Sequence, residues 1–358
     1  MNQLLDIVGE GYPSAYAKNN AYSVGANKAG WTQGFWSGIL WHTYDITADA
    51  AYKDAALGHV DSFYTRIVEQ LGTDNHDMGF LYTLSCMSAY KETGDTKAKE
   101  ALLLAADQLM ARYHEDVGFI QAWGTMGDED EYRLIIDTFM NLPLLYYATE
   151  LTGDDKYADA AYTHYKTAVS VLYREDGGSY HTYYFDKTTG EPAYGKTKQG
   201  YADESTWSRG QSWGMYGALL TYIYTGDESC LDVFKMAANY FINHLPEDDV
   251  AYWDFTFTTG STEARDSSAT AIAVCALLES LKHLDKSDPY YAVYEGAANR
   301  IMEALIDTCS TASSANVGLM LHGTGSGTSG IDTMTIFGDY FYIEALHRFI
   351  DPEWELYW

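Results

Sequence analysis

The chain is poor in cations. It carries 22 Lys and Arg against 51 Asp and Glu, a formal charge of −29, whereas nucleic acids and anionic membranes both require a cationic footprint. Neither is expected as a partner. Cysteine is scarce as well: Cys86, Cys230, Cys275 and Cys309 are widely scattered and form no C-x-x-C pair, so buried free thiols are expected rather than disulfides or a metal cage. The ten histidines contain no His-Glu-x-x-His or comparable ligand cluster, and no metal or other cofactor is expected. No Pro-rich linker or break in composition divides the chain, so one domain spanning 1–358 is expected. No apolar run approaches the roughly eighteen residues of a membrane span. The first ten residues lack the basic and long apolar regions of a secretion signal, and a cytoplasmic protein is expected.

What is abundant is aromatic. Hydrophobic residues make up 47% of the chain and aromatics 15%, with 32 Tyr and 9 Trp. Tyr and Trp are amphipathic rings suited to packing on sugar faces, which favours a carbohydrate cleft. An anionic substrate would then need cations concentrated locally.

A small device recurs along the chain: Thr47-Ala48-Asp49, Thr93-Gly94-Asp95, Thr152-Gly153-Asp154, Thr225-Gly226-Asp227 and a degenerate Lys286-Ser287-Asp288. Gly can end one helix and Asp can cap the next, so each copy reads as an αα-hairpin corner. After the third copy Tyr157, Ala161, Tyr165, Ala168 and Leu172 fall on one helical face, and after the second Ala98, Leu102, Ala105 and Leu109 do the same. Hairpins at roughly sixty-residue intervals are too long for tetratricopeptide or HEAT repeats. They suit an all-α (α/α)₆ barrel, a six-hairpin toroid with short strands in its loops. The aromatic alternation of Gly178–Asp186 running into Lys187-Thr188-Thr189-Gly190 is one such strand and turn.

Against this background one carboxylate is out of place. Asp137 interrupts the apolar run Leu134-Ile135-Ile136-Asp137-Thr138-Phe139-Met140, shortly before Pro143. An ionised Asp there is unfavourable unless hydrogen-bonded or needed as an acid, so it is either a helix cap or a catalytic group. Pro143 belongs in the first turn of a helix, which places Asp137 near a helix N-terminus at the barrel mouth. Asp77, in Asn75-His76-Asp77-Met78-Gly79-Phe80, is the second candidate carboxylate. Arg209 and Trp213 stand four apart and offer a guanidinium fork beside a ring; the alternative is an Arg stacked on a core Trp.

Taken in order, these segments resemble the unsaturated glucuronyl hydrolases of glycoside hydrolase family 88. The resemblance runs through Trp31 to Trp41, His76-Asp77-x-Gly-Phe, Ile136-Asp137 with Asn141-Leu142-Pro143, Ser179-Tyr180-His181-Thr182, and Ser205-Thr206-Trp207-x-Arg209-Gly210-Gln211-x-Trp213-Gly214. It continues through Tyr252-Trp253-Asp254-Phe255, Arg265-Asp266-Ser267-Ser268-Ala269 and Gly338-Asp339-Tyr340-Phe341-Tyr342. The resemblance implies hydration of the C4=C5 vinyl ether in the unsaturated uronic acid that polysaccharide lyases leave at the non-reducing end. A proton goes to C4, water adds at C5, and the hemiketal opens to release the sugar. It further implies that Asp137 donates the proton and helps activate water, that Asp77 is the second essential aspartate, and that His181, Arg209 and Trp213 surround the unsaturated ring. Gln199, Trp31, His76 and Trp123 are further wall candidates. Rhamnogalacturonyl hydrolases share the barrel and an Arg-Gly-x-x-Trp segment and are the alternative; a sugar epimerase, needing a His pair, is the more distant one.

Two departures stand out. Relatives that prefer sulfated fragments carry a Ser- and Lys-containing motif in the C-terminal loop, but no Lys or Arg occurs between Ile301 and His347, so a sulfate contact from that loop is not expected. The segment Gly323-Thr324-Gly325-Ser326-Gly327-Thr328-Ser329-Gly330 lacks the Gly-Lys-Ser/Thr ending of a phosphate loop and is expected to be a mobile lid. Lys198 stands where His is found in some relatives and is expected to add a second cation for the substrate.

Overall fold

A computed structural model describes residues 1–314 and 316–358. After α1 (Asn2–Val8), five helical hairpins follow in order, and a final helix completes the ring. The first hairpin is α2 (Gln33–Thr47) with α3 (Ala50–Val68). The second begins with a helix in three pieces, α4 (Met78–Tyr82), a π segment (Thr83–Met87) and α5 (Ser88–Thr93), and returns through α6 (Thr96–Met110). Next come α7 (Pro143–Thr152) with α8 (Lys156–Leu172), α9 (Ser208–Thr225) with α10 (Glu228–Asn243), and α11 (Ser267–Ser280) with α12 (Pro289–Thr308). The last is α13 (Ile336–Ile350). This is the (α/α)₆ barrel expected from the corners.

The first member of each pair is an inner helix. Helix α2 packs on α13, α13 on α11, α11 on α9, α9 on α7 and the turn before it, and α7 on α4, which closes the ring. Burial follows that position: α9 is buried on every face from Ser208 to Thr221 and α11 from Ser267 to Leu277. Outer helices bury one stripe only. In α6 it contains Ala98, Leu102, Ala105 and Leu109; in α8 it contains Tyr157, Ala161, Tyr165, Ala168 and Leu172.

The recurring corners turn each inner helix into its outer partner. Ala48, Gly94, Gly153 and Gly226 all take left-handed conformations, φ 57° to 72°, where three of the four are glycine because that residue has no Cβ to clash. Each Thr hydroxyl donates to the carbonyl four residues back and accepts from the Asp amide two residues on. The Asp side chain then accepts from the first turn of the outer helix at Asp49, Asp95, Asp154 and Asp227, a cap typically contributing about 1 kcal/mol. The degenerate fifth copy keeps the cap without the left-handed residue: Asp288 accepts from Tyr290 N ahead of Pro289 at the first helical position.

Because these corners sit at the C-termini of inner helices, all inner N-termini point to the opposite end. That mouth is dressed by loops and three small antiparallel sheets: β1 (Tyr12–Pro13) with β2 (Val24–Gly25), β3 (Tyr113–His114) with β4 (Phe119–Ile120), and β5 (Arg133–Ile135), β6 (Thr182–Phe185) and β7 (Pro192–Lys196). The expected aromatic strand is β6, with Tyr183 opposite Leu134 and Tyr184 opposite Tyr194. Asp186 accepts from Thr188 and Thr189 amides in the turn that follows. Among the described residues, no helix is long and apolar enough to cross a membrane.

Candidate active site

Strand β5 carries the chain straight to Asp137. The Ile136 amide donates to His181 O at 3.0 Å, ending the ladder, and Ile136–Met140 then winds a 3₁₀ turn before Pro143 opens α7. Asp137 lies on that turn with a side chain only 13% exposed, and its Oδ2 is buried without a hydrogen-bond partner. It does not cap α7, for which no capping side chain exists. Burial pushes its carboxyl up to about 6, although the positive charge of Arg209 opposes this.

Asp77 precedes α4, and its carboxylate likewise makes no cap bond. Burial, reinforced by the like charge of Asp137, pushes it up to about 8, with Arg66 acting in the other direction. Asn141 joins the two carboxylate-bearing segments: Phe80 N donates to its Oδ1 at 2.9 Å, and its Nδ2 donates to Asp137 O at 3.1 Å. Gly79 is needed for that approach, since a Cβ there would lie 2.3 Å from Asn141 Cα. Two elements sixty residues apart in sequence are thereby held as one unit.

Two histidines line the pair. His181 Nδ1 accepts from the amides of Lys198 at 2.9 Å and Gln199 at 3.2 Å, so the ring proton sits on Nε2, which faces Asp137 Oδ2 at 3.9 Å. Burial, with the charges of Arg209, Arg133 and Lys198, lowers His181 to about 3. His76 Nε2 lies 3.5 Å from Asp77 Oδ1 and neither ring nitrogen has a hydrogen-bond partner. Burial again holds it well below its ordinary value. Both rings are neutral donors or acceptors here, not titrating bases.

Trp123 meets His76 edge-on at 6.1 Å with Arg133 at 5.3 Å over its ring, and Trp31 is half-buried against Phe337 at 5.2 Å and Phe80 at 5.3 Å. Gln199 donates through Nε2 to Gly325 O at 3.0 Å.

Two expectations need correction. Arg209 is not a free cation: its side chain has no exposure and its Nη1 reaches Asp266 Oδ2 at 2.5 Å, with Thr324 O and Gly325 O taking further bonds. Its ring partners are Trp207 at 4.5 Å and Phe337 at 4.8 Å rather than Trp213. The reason is direction, because side chains in a first helical turn lean back towards the N-terminus. Trp213 lies one turn deeper, fully buried on Phe80 and Phe341. Nor does 323–330 hang free: Gly323 pairs with Thr333, Thr324 and Gly325 are buried, and Gly325 O accepts from both Arg209 and Gln199. Only the tip at Gly327, Thr328 and Ser329 is exposed. Lys198 keeps an exposed side chain whose charge is felt at His181, and its amide also donates to the His181 ring.

Asn141, Asp266 and Arg133 were not singled out from sequence. Arg133 is buried on β5, paired with Glu131 and stacked on Tyr184 at 5.0 Å; an Arg entering the same apolar run as Asp137 was the available signal. Among the described residues, no group of three or more His, Cys, Asp or Glu is arranged to hold a metal ion.

In sum the mouth offers two protonatable carboxyls, neutral imidazoles, aromatic walls and six helix N-termini whose dipoles favour a negative ligand. Known proteins share this architecture. Residues 10–348 match the family Glycosyl Hydrolase Family 88. The chain is 47% identical to an unsaturated chondroitin disaccharide hydrolase of Streptococcus pneumoniae, over 99% of this chain and 90% of that protein. It superposes on an unsaturated glucuronyl hydrolase of Streptococcus agalactiae with a TM-score of 0.96 at 47% identity, covering 99% of this chain and 91% of the other. A mutant of the S. agalactiae enzyme complexed with dGlcA-GalNAc6S gives a TM-score of 0.88 at 44% identity, covering 99% and 90%. The chain therefore belongs to glycosyl hydrolase family 88.

Proposed function

We propose that this protein is an unsaturated glucuronyl hydrolase that acts on lyase-generated glycosaminoglycan oligosaccharides, with residues 1–358 serving as one catalytic domain in the cytoplasm. The observation that carries the reading is the pair Asp77 and Asp137, two carboxyls held protonatable near neutral pH by burial, with the charge of Asp137 raising Asp77 further. A vinyl ether becomes reactive on protonation at carbon, and a buried carboxylic acid of raised pKa is the group that can deliver that proton.

In this scheme Asp137 donates to C4 while water adds at C5, and the proton lost by the water returns to Asp137. The C5 hemiketal opens to a ketone, C1 becomes a hemiacetal, and its collapse to an aldehyde releases the leaving sugar as an alcohol. The uronate carboxylate approaching the pair is a further like charge, which raises Asp137 above its value in the free enzyme and keeps it in the acid form. His181 Nε2–H faces Asp137 and is a donor for sugar or water oxygen, while Asp77 and His76 hold hydroxyls. Arg209 acts from behind the wall. A sugar epimerase would need two titrating histidines, and both imidazoles are held neutral. Unsulfated substrates are favoured, because no Lys or Arg lies between Ile301 and His347.

The test is loss of the ultraviolet absorbance of the conjugated C4=C5 group. Unsaturated chondroitin and hyaluronan disaccharides should both be consumed, and the chondroitin substrate faster without sulfate. Consumption of an unsaturated rhamnogalacturonan disaccharide alone would reassign the enzyme.

A further inference from the structure

An ion pair with no solvent exposure on either side chain stands directly behind the site, Arg209 Nη1 to Asp266 Oδ2 at 2.5 Å. Two charges withdrawn from water are tolerated when the geometry is good and further hydrogen bonds hold them; here Arg209 Nε lacks a partner and the other polar atoms of the pair are held. Arg209 is stacked on Trp207 and Phe337 and donates to Thr324 O at 2.5 Å and Gly325 O at 2.8 Å. Asp266 Oδ1 accepts from Ser268 N at 3.1 Å, Ser268 Oγ at 2.5 Å and Thr324 N at 3.3 Å. The pair thus ties the first turn of α9, the cap of α11 and the base of 323–330 together.

From that knot a chain of bonds runs to the reacting centre. Gly325 O also accepts from Gln199 Nε2, the Gln199 amide donates to His181 Nδ1, and His181 Nε2 faces Asp137. The charge of Arg209 is felt at Asp137 and at His181. Where Arg209 sits therefore decides both the shape of the wall and the field at the acid.

We infer that Asp266 is a positioning residue for the hydration reaction: it clamps Arg209 so that Gly325, Gln199 and His181 keep their places around Asp137. The inference rests on the hydrolase reading above and extends it to a residue that does not touch substrate. Asp137 is faced by His181, just ahead of β6, and is coupled to Asp77, ahead of α4; it feels the charge of Arg209 from α9, while His76 lies against Asp77 and the charges of Arg133 and Lys198 act on His181. Of these, Arg209 is the one whose charge Asp266 balances.

The test uses the full chain. Asp266→Asn leaves the Arg209 charge unbalanced, so the proton of Asp137 leaves at lower pH: the falling limb of kcat/KM should move down by about half a unit or more. KM for an unsaturated disaccharide should rise about five-fold as the wall loosens, within the range that small misplacements produce. Asp266→Glu, which keeps the charge, should leave the limb in place with KM raised. The double variant Arg209→Gln with Asp266→Asn removes both charges, should return the limb to or above its wild-type position, and serves if the single variant does not fold. A folded Asp266→Asn protein whose limb is unmoved overturns the inference, as does an equal shift in Asp266→Glu. The same shift should appear in the ¹³C carboxyl titration of Asp137, which needs no turnover. Wild-type protein inactive on every unsaturated sugar would strike the hydrolase reading alone, and the titration would still decide the clamp.

Discussion

The two ends of the barrel both bury carboxylates, and one pair at each end is treated in opposite ways. At the corner end Glu279 and Glu344 converge on Arg348: Glu344 Oε1 lies 3.0 Å from Nη2, Tyr216 donates to the same oxygen at 2.7 Å, and Trp358 Nε1 donates to Oε2 at 2.9 Å. Glu279 pairs with Arg348 and, at 3.0 Å, with Lys282. Burial pushes Glu279 up, yet Arg348, His283 and Lys282 outweigh it and hold the group near 2. At the mouth Asp77 and Asp137 have each other instead of a paired cation, and burial carries them to about 8 and about 6. The lesson is that equal burial yields a structural ion or a chemical acid according to whether a cation is supplied with it.

The contrast is sharpest in activity. Asp137→Asn should reduce kcat by about 10²- to 10⁴-fold, the usual contribution of a general acid, with substrate binding retained by calorimetry. Retention of a tenth of the activity would mean the mouth carboxyls are structural after all.

At the other end the loss should be of stability. Arg348→Met leaves Glu344 buried without its cation and Glu279 with Lys282 alone, which should destabilise by about 3–5 kcal/mol in chemical denaturation, while kcat of the folded fraction stays near wild type. A small loss of stability would erase the distinction between the ends.

The pH dependence is the next test. The acid form of Asp137 is needed and is lost as pH rises, so kcat/KM should fall through about pH 6. The falling limb of kcat should lie higher, because bound uronate adds a like charge; coincident limbs would place the acid elsewhere.

The smallest effect is on thermal stability. A carboxyl raised in the folded state binds its proton more tightly there than when unfolded, so its contribution is intact below the ordinary carboxylate value and is lost as pH climbs towards about 8. Asp77→Asn should therefore raise Tm, by more near pH 8 than near pH 5. Glu279, lowered in the folded state, contributes above the ordinary carboxylate value and loses that contribution as pH falls towards about 2. Glu279→Gln should lower Tm at neutral pH. Equal signs for the two substitutions would break the comparison.

Much of this was legible beforehand. The Thr-x-Asp corners declared the helix pairs because their chemistry is local: a left-handed residue, a hydroxyl and a cap within three positions. Asp137 was legible by its apolar neighbours in sequence, and Pro143 placed it ahead of a helix. The role of Arg209 was not legible, because its partners Asp266, Thr324 and Gly325 are brought to it by the ring closure. Spacing of four suggested Trp213 beside it, and only the direction of the side chain in a first turn shows otherwise. The 323–330 segment reads as flexible from its glycines, yet its base is held by side chains more than a hundred residues away.

The sequence by itself determined the helix pairs, the turns that join them and the presence of a misplaced carboxylate, since each depends on residues within a few positions of one another. Only the tertiary structure decided that Asp77 stands with Asp137, that Arg209 is already paired and that Asp266 stands behind it. Those facts depend on which charges meet in a common low-dielectric interior, and no local pattern records such meetings.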